Sequence, residues 1–368
     1  MPPRSKLTAQ AAGAGENRIR PGANSPRGRF VATVKENIRI CTDHYRLVLS
    51  LPRFPRSVPG QFVEVDCRDP RFQPSADHEL GPRAFDWPPP ERFKGDSPVA
   101  LPRPCPSDPD FNAPLAYLRR AFSLADHRVW PDGYTEVDIL HRVVGRGTLL
   151  LAQLLPGQTV SLIGPLGRGF TLPPGVEVVC LVGGGVGVPP MLYMAKALQQ
   201  AWVKGVVGFI GAQREDLLPV TLISPPEAPE PSREGDPLMN VKEFKEYGYP
   251  AVITTDDGSV GMKGYVTEAL RAFLEERQVQ QGRVTNTMVY CCGPTPMMKA
   301  TARVAAAFGV PCQVSLEQPM ACGMGTCQSC VVRYRPHDGK AEEWPEGEWK
   351  YKLTCTDGPV FDARDLMW

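Results

Sequence analysis

The strongest chemical signal is a group of four cysteines near the C-terminus: Cys322-Gly-Met-Gly-Thr-Cys327-Gln-Ser-Cys330, with Cys355 well downstream. The spacing C-x4-C-x2-C, then a distant C, is the plant-type ferredoxin pattern for a 2Fe–2S cluster. Thiolates must converge on two irons from one short loop. Gly323 and Gly325 let that loop fold tightly and aim N–H groups at the sulfides, and the fourth ligand arrives from a separate strand. A structural zinc ion also takes four cysteines, but such sites usually pair two short knuckles. Plain core burial is the third reading. Crowding of three cysteines in one glycine-rich loop favours the cluster. The other seven (41, 67, 105, 180, 291, 292 and 312) show no such spacing, and Cys180 lies in an apolar run that reads as core.

Two further motifs point to redox cofactors. Arg120-Ala121-Phe122-Ser123 has the Arg–x–aromatic–Ser form used by flavin-binding barrels, where the Arg meets the pyrophosphate and the Ser and nearby backbone meet the isoalloxazine. Leu140-His141-Arg142 then runs through Gly145 to Gly147 and Thr148, which open a helix and offer N–H groups and a hydroxyl to phosphates. A plain turn with an N-cap is the bland alternative. The second motif, Gly183-Gly184-Gly185-Val-Gly187-Val-Pro-Pro190, follows a buried strand and precedes a helix, as a dinucleotide site requires. It is not a strict G-x-G-x-x-G, so a structural glycine turn is its rival. Cys292-Gly293-Pro294 and Thr255-Asp256-Asp257-Gly258-Ser259 end later strands and are expected at the same sheet edge. Arg214 lies near that edge and suits a 2′-phosphate, but Glu215 and Asp216 beside it would repel one, which favours NAD over NADP.

These motifs need elements to hold them. Short β-rich runs at 30–34, 45–49, 61–65, 121–125, 136–144 and 159–163 predict an antiparallel six-stranded β-barrel. After Pro174 the rhythm changes. Strands at 176–182, 206–210, 251–254 and 288–291 alternate with helices at 190–201, 266–278 and 296–308, which predicts an α/β parallel sheet. From about Val310 the chain reads as a small third unit carrying the cysteine loop. The division expected is an arm at 1–27, a flavin barrel at 28–173, a nicotinamide domain at 174–309 and a cluster domain at 310–368. Twelve of the 40 prolines fall between Pro70 and Pro114, a density no strand or helix tolerates, so 68–114 reads as a surface insertion, and Pro-rich 224–237 as a second.

Composition narrows the function. With Lys+Arg 41 and Asp+Glu 40, the net charge of +1 argues against a nucleic-acid or anionic-membrane coat. No apolar run of about 18 residues suggests a membrane span, and the first twenty residues hold no apolar stretch of a secretory signal. The cytoplasm is the expected compartment, with thiols reduced.

The order of motifs resembles the ferredoxin–NADP reductase superfamily, and within it the electron transfer subunits of dihydroorotate dehydrogenase B. Besides the stretches above, the likeness rests on Arg119, Gly164-Pro-Leu-Gly-Arg-Gly-Phe170 and the tail Cys355-Thr-Asp-Gly-Pro-Val-Phe361. Ala121 stands where the family often has Pro, and the gap before Cys355 is longer than usual. The resemblance implies that Arg120–Ser123, Leu140–Arg142, Gly147 and Thr148 contact FAD, and that Cys322, Cys327, Cys330 and Cys355 hold the cluster. It implies electron passage between NAD and an FMN-containing dihydroorotate dehydrogenase catalytic subunit, in a heterotetramer of two of each, with no catalytic side chain of this chain's own. Flavin subunits of ferredoxin, hydrogenase or sulfite reductases are the alternatives in the same class. A flavin–iron–sulfur module without turnover is the alternative outside it.

Overall fold

The computed structural model describes residues 27–68, 118–227, 235–282, 284–337 and 348–368. The expected arm, the 68–114 insertion and the centre of the 224–237 stretch lie outside the described residues, apart from their edges.

Six strands close into the expected barrel: β1 (Gly28–Cys41), β2 (His44–Leu51), β3 (Phe62–Val65), β4 (Arg120–Val129), β5 (Thr135–Arg142) and β6 (Thr159–Leu166), in the order β1-β2-β5-β4-β3-β6. All pairs are antiparallel. Alternate residues such as Leu47, Leu49, Val63, Val65, Leu124, Val137 and Ile139 fill the interior, as period-2 patterning demands. A short helix, α1 (Arg146–Ala152), follows β5.

The second half is a sheet of β7 (Val178–Gly184), β8 (Gly205–Ala212), β11 (Ala251–Thr255), β12 (Met262–Lys263), β13 (Thr287–Cys292), β14 (Cys312–Ser315) and β17 (Val360–Asp362). A small antiparallel pair, β9 (Leu222–Glu227) and β10 (Met239–Val241), lies beside it, so part of the expected proline-rich excursion pairs as a strand. Helices α2 (Val188–Gln200) and α3 (Lys242–Lys245) pack on one face, α4 (Val266–Gln281) and α5 (Thr295–Ala307) on the other. Cys180, Cys291 and Cys312 are buried in the core under α4 and α5. The last two strands differ from expectation. β14 pairs parallel with β13, and β17 returns from the far side of the cysteine loop to pair antiparallel with β14. Residues after Val310 are therefore woven into the α/β sheet. Among the described residues after Val310, β15 (Val331–Tyr334) and β16 (Lys350–Leu353) form a sheet of their own.

Helix α2 joins the two halves. Tyr193 reaches into the barrel core, where its hydroxyl donates to the Ser57 carbonyl at 2.8 Å. Lys196 pairs with Asp126 at 2.5 Å. Burial works to raise the Asp126 carboxyl, but Lys196 and Arg128 outweigh it and hold it below its usual value. Beside them the Ser57 N–H donates to His127 Nδ1 at 3.1 Å. Burial pushes the imidazole down from 6.5 to about 4. Between those values the unfolded chain binds a proton that the folded chain refuses, so this contribution is complete above about pH 6.5 and is lost as pH falls. Urea unfolding should therefore show on the order of 2 kcal/mol less stability from this one group at about pH 5 than at neutrality. His127→Gln should flatten that part of the profile, and an unchanged profile would contradict the assignment.

Candidate functional site

The cysteine loop is built by its own backbone. Gly323 (φ 66°) and Gly325 (φ 91°) occupy the left-handed region, which side chains disfavour. The thiols fall into two pairs. The N–H groups of Met324 and Cys327 point at Cys322 Sγ, at 3.5 and 3.4 Å. The Cys355 N–H points at Cys330 Sγ at 3.4 Å. Among the described residues no three Cys, His, Asp or Glu side chains converge as one metal ion would require. Two thiol pairs in one loop and turn fit a two-iron cluster, with N–H groups already aimed at sulfur. The outer pair is open: Cys327 is exposed, and hydrogen bonds from Ser329 and Cys322 bring its thiol down to about 6. The inner pair is enclosed, with Cys330 and Cys355 buried, and burial raises Cys355 to about 12.

Cys355 is held by the tail that follows it. The Asp357 carboxylate accepts the Leu353 N–H at 2.9 Å, and the Thr354 hydroxyl donates to the Cys330 carbonyl at 2.8 Å. The Arg168 N–H donates to the Gly358 carbonyl at 2.5 Å. The Gly164–Phe170 loop and the Cys355–Phe361 tail, separate motifs in the sequence, thus meet. Phe62 and Leu166 of the barrel form one small apolar cluster with Cys330 and Cys355, and Ala121, Ile163, Met320 and Leu353 pack around it. Ala121 thereby lies against the cysteine region.

The other predicted flavin residues gather at one end of the barrel. His44 and Tyr45 of β2 face Arg142 and His141 of β5. The His141 ring stacks on Tyr45 at 5.7 Å and meets Phe122 edge-on at 5.9 Å. His141 is 1% exposed, with both ring nitrogens lacking a hydrogen-bond partner among the described residues. Burial brings it down to about 4. Arg120 donates only to the carbonyls of Leu118 and Arg119, and exposed Arg142 has no partner among the described residues. Val144 and Leu149 are exposed apolar side chains nearby. Arg142, and Arg120 held only by adjacent backbone carbonyls, stand beside half-buried Tyr45 and exposed Val144 and Leu149, which suits a ligand with a pyrophosphate and a flat ring, so these residues fit FAD. Thr148 is engaged within its own turn. Its hydroxyl accepts the N–H groups of Val144 and Gly145, at 2.9 and 3.3 Å, and donates to the Gly145 carbonyl. It closes the loop on itself.

The glycine-rich turn separates into two roles. A Cβ on Gly187 would lie 2.2 Å from the Cys292 carbonyl oxygen, and one on Gly184 2.6 Å from Met297 Sδ. Gly183 is similarly hemmed in by Val188 and Met191, at 3.2 and 3.3 Å. These three permit close packing between β7, α2 and the Cys292–Gly293 turn. Gly185 alone has positive φ, 53°, with no atom within 4 Å of its Cβ position. It is the glycine that leaves backbone open to a ligand. Pro189 and Pro190 fill the first turn of α2 and carry no N–H, so this helix offers fewer donors than its motif suggests. The Gly185–Gly187 turn lies against β5, the strand that carries the predicted flavin residues Leu140–Arg142. Arg214 is paired with Asp216 at 3.0 Å, so the neighbouring acid already meets the one cation that the sequence offered to a 2′-phosphate. The sequence did not mark Glu317, Ser315 or Glu64. Ser315 hydrogen-bonds the buried Cys292 thiol, and burial raises the Glu317 carboxyl.

A closed six-stranded barrel, a parallel sheet with a glycine turn against it and a cysteine loop on the barrel's flank define a flavin- and nicotinamide-linked oxidoreductase of the ferredoxin–NADP reductase type. Comparisons make this specific. Residues 317–367 match the iron–sulfur cluster binding domain of dihydroorotate dehydrogenase B, and 181–303 the oxidoreductase NAD-binding domain. The chain is 33% identical over 341 residues to the dihydroorotate dehydrogenase B (NAD⁺) electron transfer subunit of Caldanaerobacter subterraneus, covering 93% of this chain and 99% of that one. It is 36% identical over 254 residues to the subunit of Bacillus caldolyticus, covering 68% and 80%. Among solved structures, a chain of the NADH-dependent reduced ferredoxin–NADP oxidoreductase aligns with TM-score 0.58 and 26% identity over 92% of this chain and 90% of that one. The chain belongs to the family of dihydroorotate dehydrogenase B electron transfer subunits.

Proposed function

We propose that this chain passes electrons between an FMN-containing dihydroorotate dehydrogenase catalytic subunit and NAD, through a 2Fe–2S cluster and FAD, in the cytoplasm and within a complex of two copies of each subunit. The supporting observation is the position of β4, which carries the Arg120–Ser123 motif. The apolar cluster around Cys330 and Cys355 covers Ala121 on one side, and α2, with the glycine turn at its start, lies against the other end of the strand. FAD bound there would supply hydride chemistry toward nicotinamide and one-electron chemistry toward the cluster.

The protein's part is to bind and orient. Arg120 and Arg142 would hold the pyrophosphate, and Phe122, Ser123, Leu140 and His141 would frame the flavin. Gly147 and the first turn of α1 would approach the phosphates, with Thr148 shaping that turn. Gly185 admits the nicotinamide nucleotide, while Gly183, Gly184, Gly187, Cys292 and Gly293 set the floor beneath it. Cys322, Cys327, Cys330 and Cys355 would ligate the irons, and Phe62, Leu166 and Leu353 keep water from the inner pair. Among the described residues no helix is long and apolar enough to cross a membrane.

Co-expression with the catalytic subunit encoded by the same genome should yield a 1:1 complex containing one FAD and two irons per copy of this chain. Recovery of each chain alone, with ferredoxin supporting the only turnover, would contradict the partner assignment in favour of a ferredoxin-linked reductase.

A further inference from the structure

Glu64 lies in the middle of β3, paired with Ala121 of β4 and Ile163 of β6. Its neighbours Val63 and Val65 point into the barrel, so period-2 geometry turns Glu64 outward. An outward carboxylate on a barrel normally meets water. Glu64 is 1% exposed, and neither carboxyl oxygen has a hydrogen-bond partner among the described residues. The cysteine loop covers it: a Cβ on Gly323 would stand 2.6 Å from Glu64 Cγ and 2.8 Å from Oε1. The charged and titratable groups acting on it are Arg119 and Arg120 on the barrel side and Cys327 on the loop side. Arg119 is committed to Ser161, with hydrogen bonds of 2.9 Å to its carbonyl and hydroxyl oxygens. Arg120 donates to backbone carbonyls. Neither arginine satisfies the carboxylate.

An unpartnered buried carboxyl is costly, and the surrounding seam of Phe62, Leu166, Met320 and Leu353 shows that an apolar side chain suits this surface. We propose that Glu64 is a positioning residue for electron transfer, whose carboxylate, set between the flavin strand and the cysteine loop, lowers the reduction potential of the cluster relative to FAD. An anion beside a centre that gains an electron opposes that gain. The backbone of Glu64 pairs with the flavin strand, but its carboxyl end meets the cysteine loop at Gly323, so the larger effect is expected on the cluster.

This inference rests on the cofactor assignment above, and its test separates the two. The full chain loaded with FAD and iron would be titrated reductively at alkaline pH, above the value of about 7 to which burial raises the Glu64 carboxyl, so that the group is ionised. The cluster would be followed by EPR and FAD by absorbance in the same sample. Glu64→Gln and Glu64→Met both keep side-chain bulk and remove the charge. Each is expected to shift the equilibrium toward the reduced cluster by about tenfold, or about 59 mV for one electron, with a much smaller shift for FAD and unchanged iron content. Two neutral variants with an intact EPR signal and a cluster potential within about twofold of the parent, on the same equilibrium scale, would overturn the role of Glu64 and leave the cofactor assignment standing. A parent protein with no 2Fe–2S signal would overturn both.

Discussion

Cys355→Ser is expected to abolish the 2Fe–2S EPR signal and reduce partner-linked NAD⁺ reduction by about 100-fold or more, because even changes outside the ligand set commonly cost 10–100-fold. NADH:ferricyanide activity, which needs the flavin and the nicotinamide turn but not the cluster, should survive within about twofold, since a serine keeps the side-chain shape of the seam. Cys355 is the most exacting of the four positions. It is buried in the seam with Phe62 and Leu166, and its own N–H points at Cys330 Sγ. Asp357 and Thr354 fix the turn that presents it. A serine there would leave one iron short of a thiolate. Retention of a normal cluster in this variant would show that the fourth ligand lies elsewhere.

Gly187→Ala is expected to damage the other half of the route. The added methyl would stand 2.2 Å from the Cys292 oxygen and 2.5 Å from the Gly293 nitrogen. Both are backbone atoms, so no flexible side chain can yield. Overpacking of this kind costs about 1–3 kcal/mol or more, which corresponds to a fall in Tm of roughly 2–10 °C for a domain of this size. The methyl also separates α2 from the Cys292–Gly293 turn, and NADH oxidation should fall at least tenfold, on the order of 1.4 kcal/mol in the barrier. Gly185→Ala provides the contrast. There is open space around it, and only its φ of 53° opposes a side chain, a cost of about 1–2 kcal/mol. Its main effect should be a raised KM for NADH, because the methyl enters the ligand's approach. Equal behaviour of the two variants would contradict the division of roles within the turn.

The barrel was legible in the sequence because its strands are short β-rich runs set apart by turn residues, and the six expected runs correspond to β1–β6. The cysteine loop was legible because cluster geometry forces a fixed local spacing. The reach of the α/β sheet was not. β14 and β17 are four and three residues long, and their pairing spans the whole cysteine loop, so no local period reveals that they belong together. The glycine turn announced itself, but packing decides which glycine faces a ligand. Gly187 and Gly185 look alike in sequence and differ in what lies 2–4 Å away. Glu64 was hidden for a similar reason: an outward charged residue on a strand reads as solvated until another part of the chain covers it.

The most direct measurement is dihydroorotate-dependent NAD⁺ reduction with this chain, the FMN-containing catalytic subunit and all cofactors present. Sustained NADH formation is expected when both chains are combined, and none with either chain alone. Dihydroorotate-dependent turnover by the catalytic subunit with NAD⁺ that is unchanged on adding or omitting this chain would contradict this.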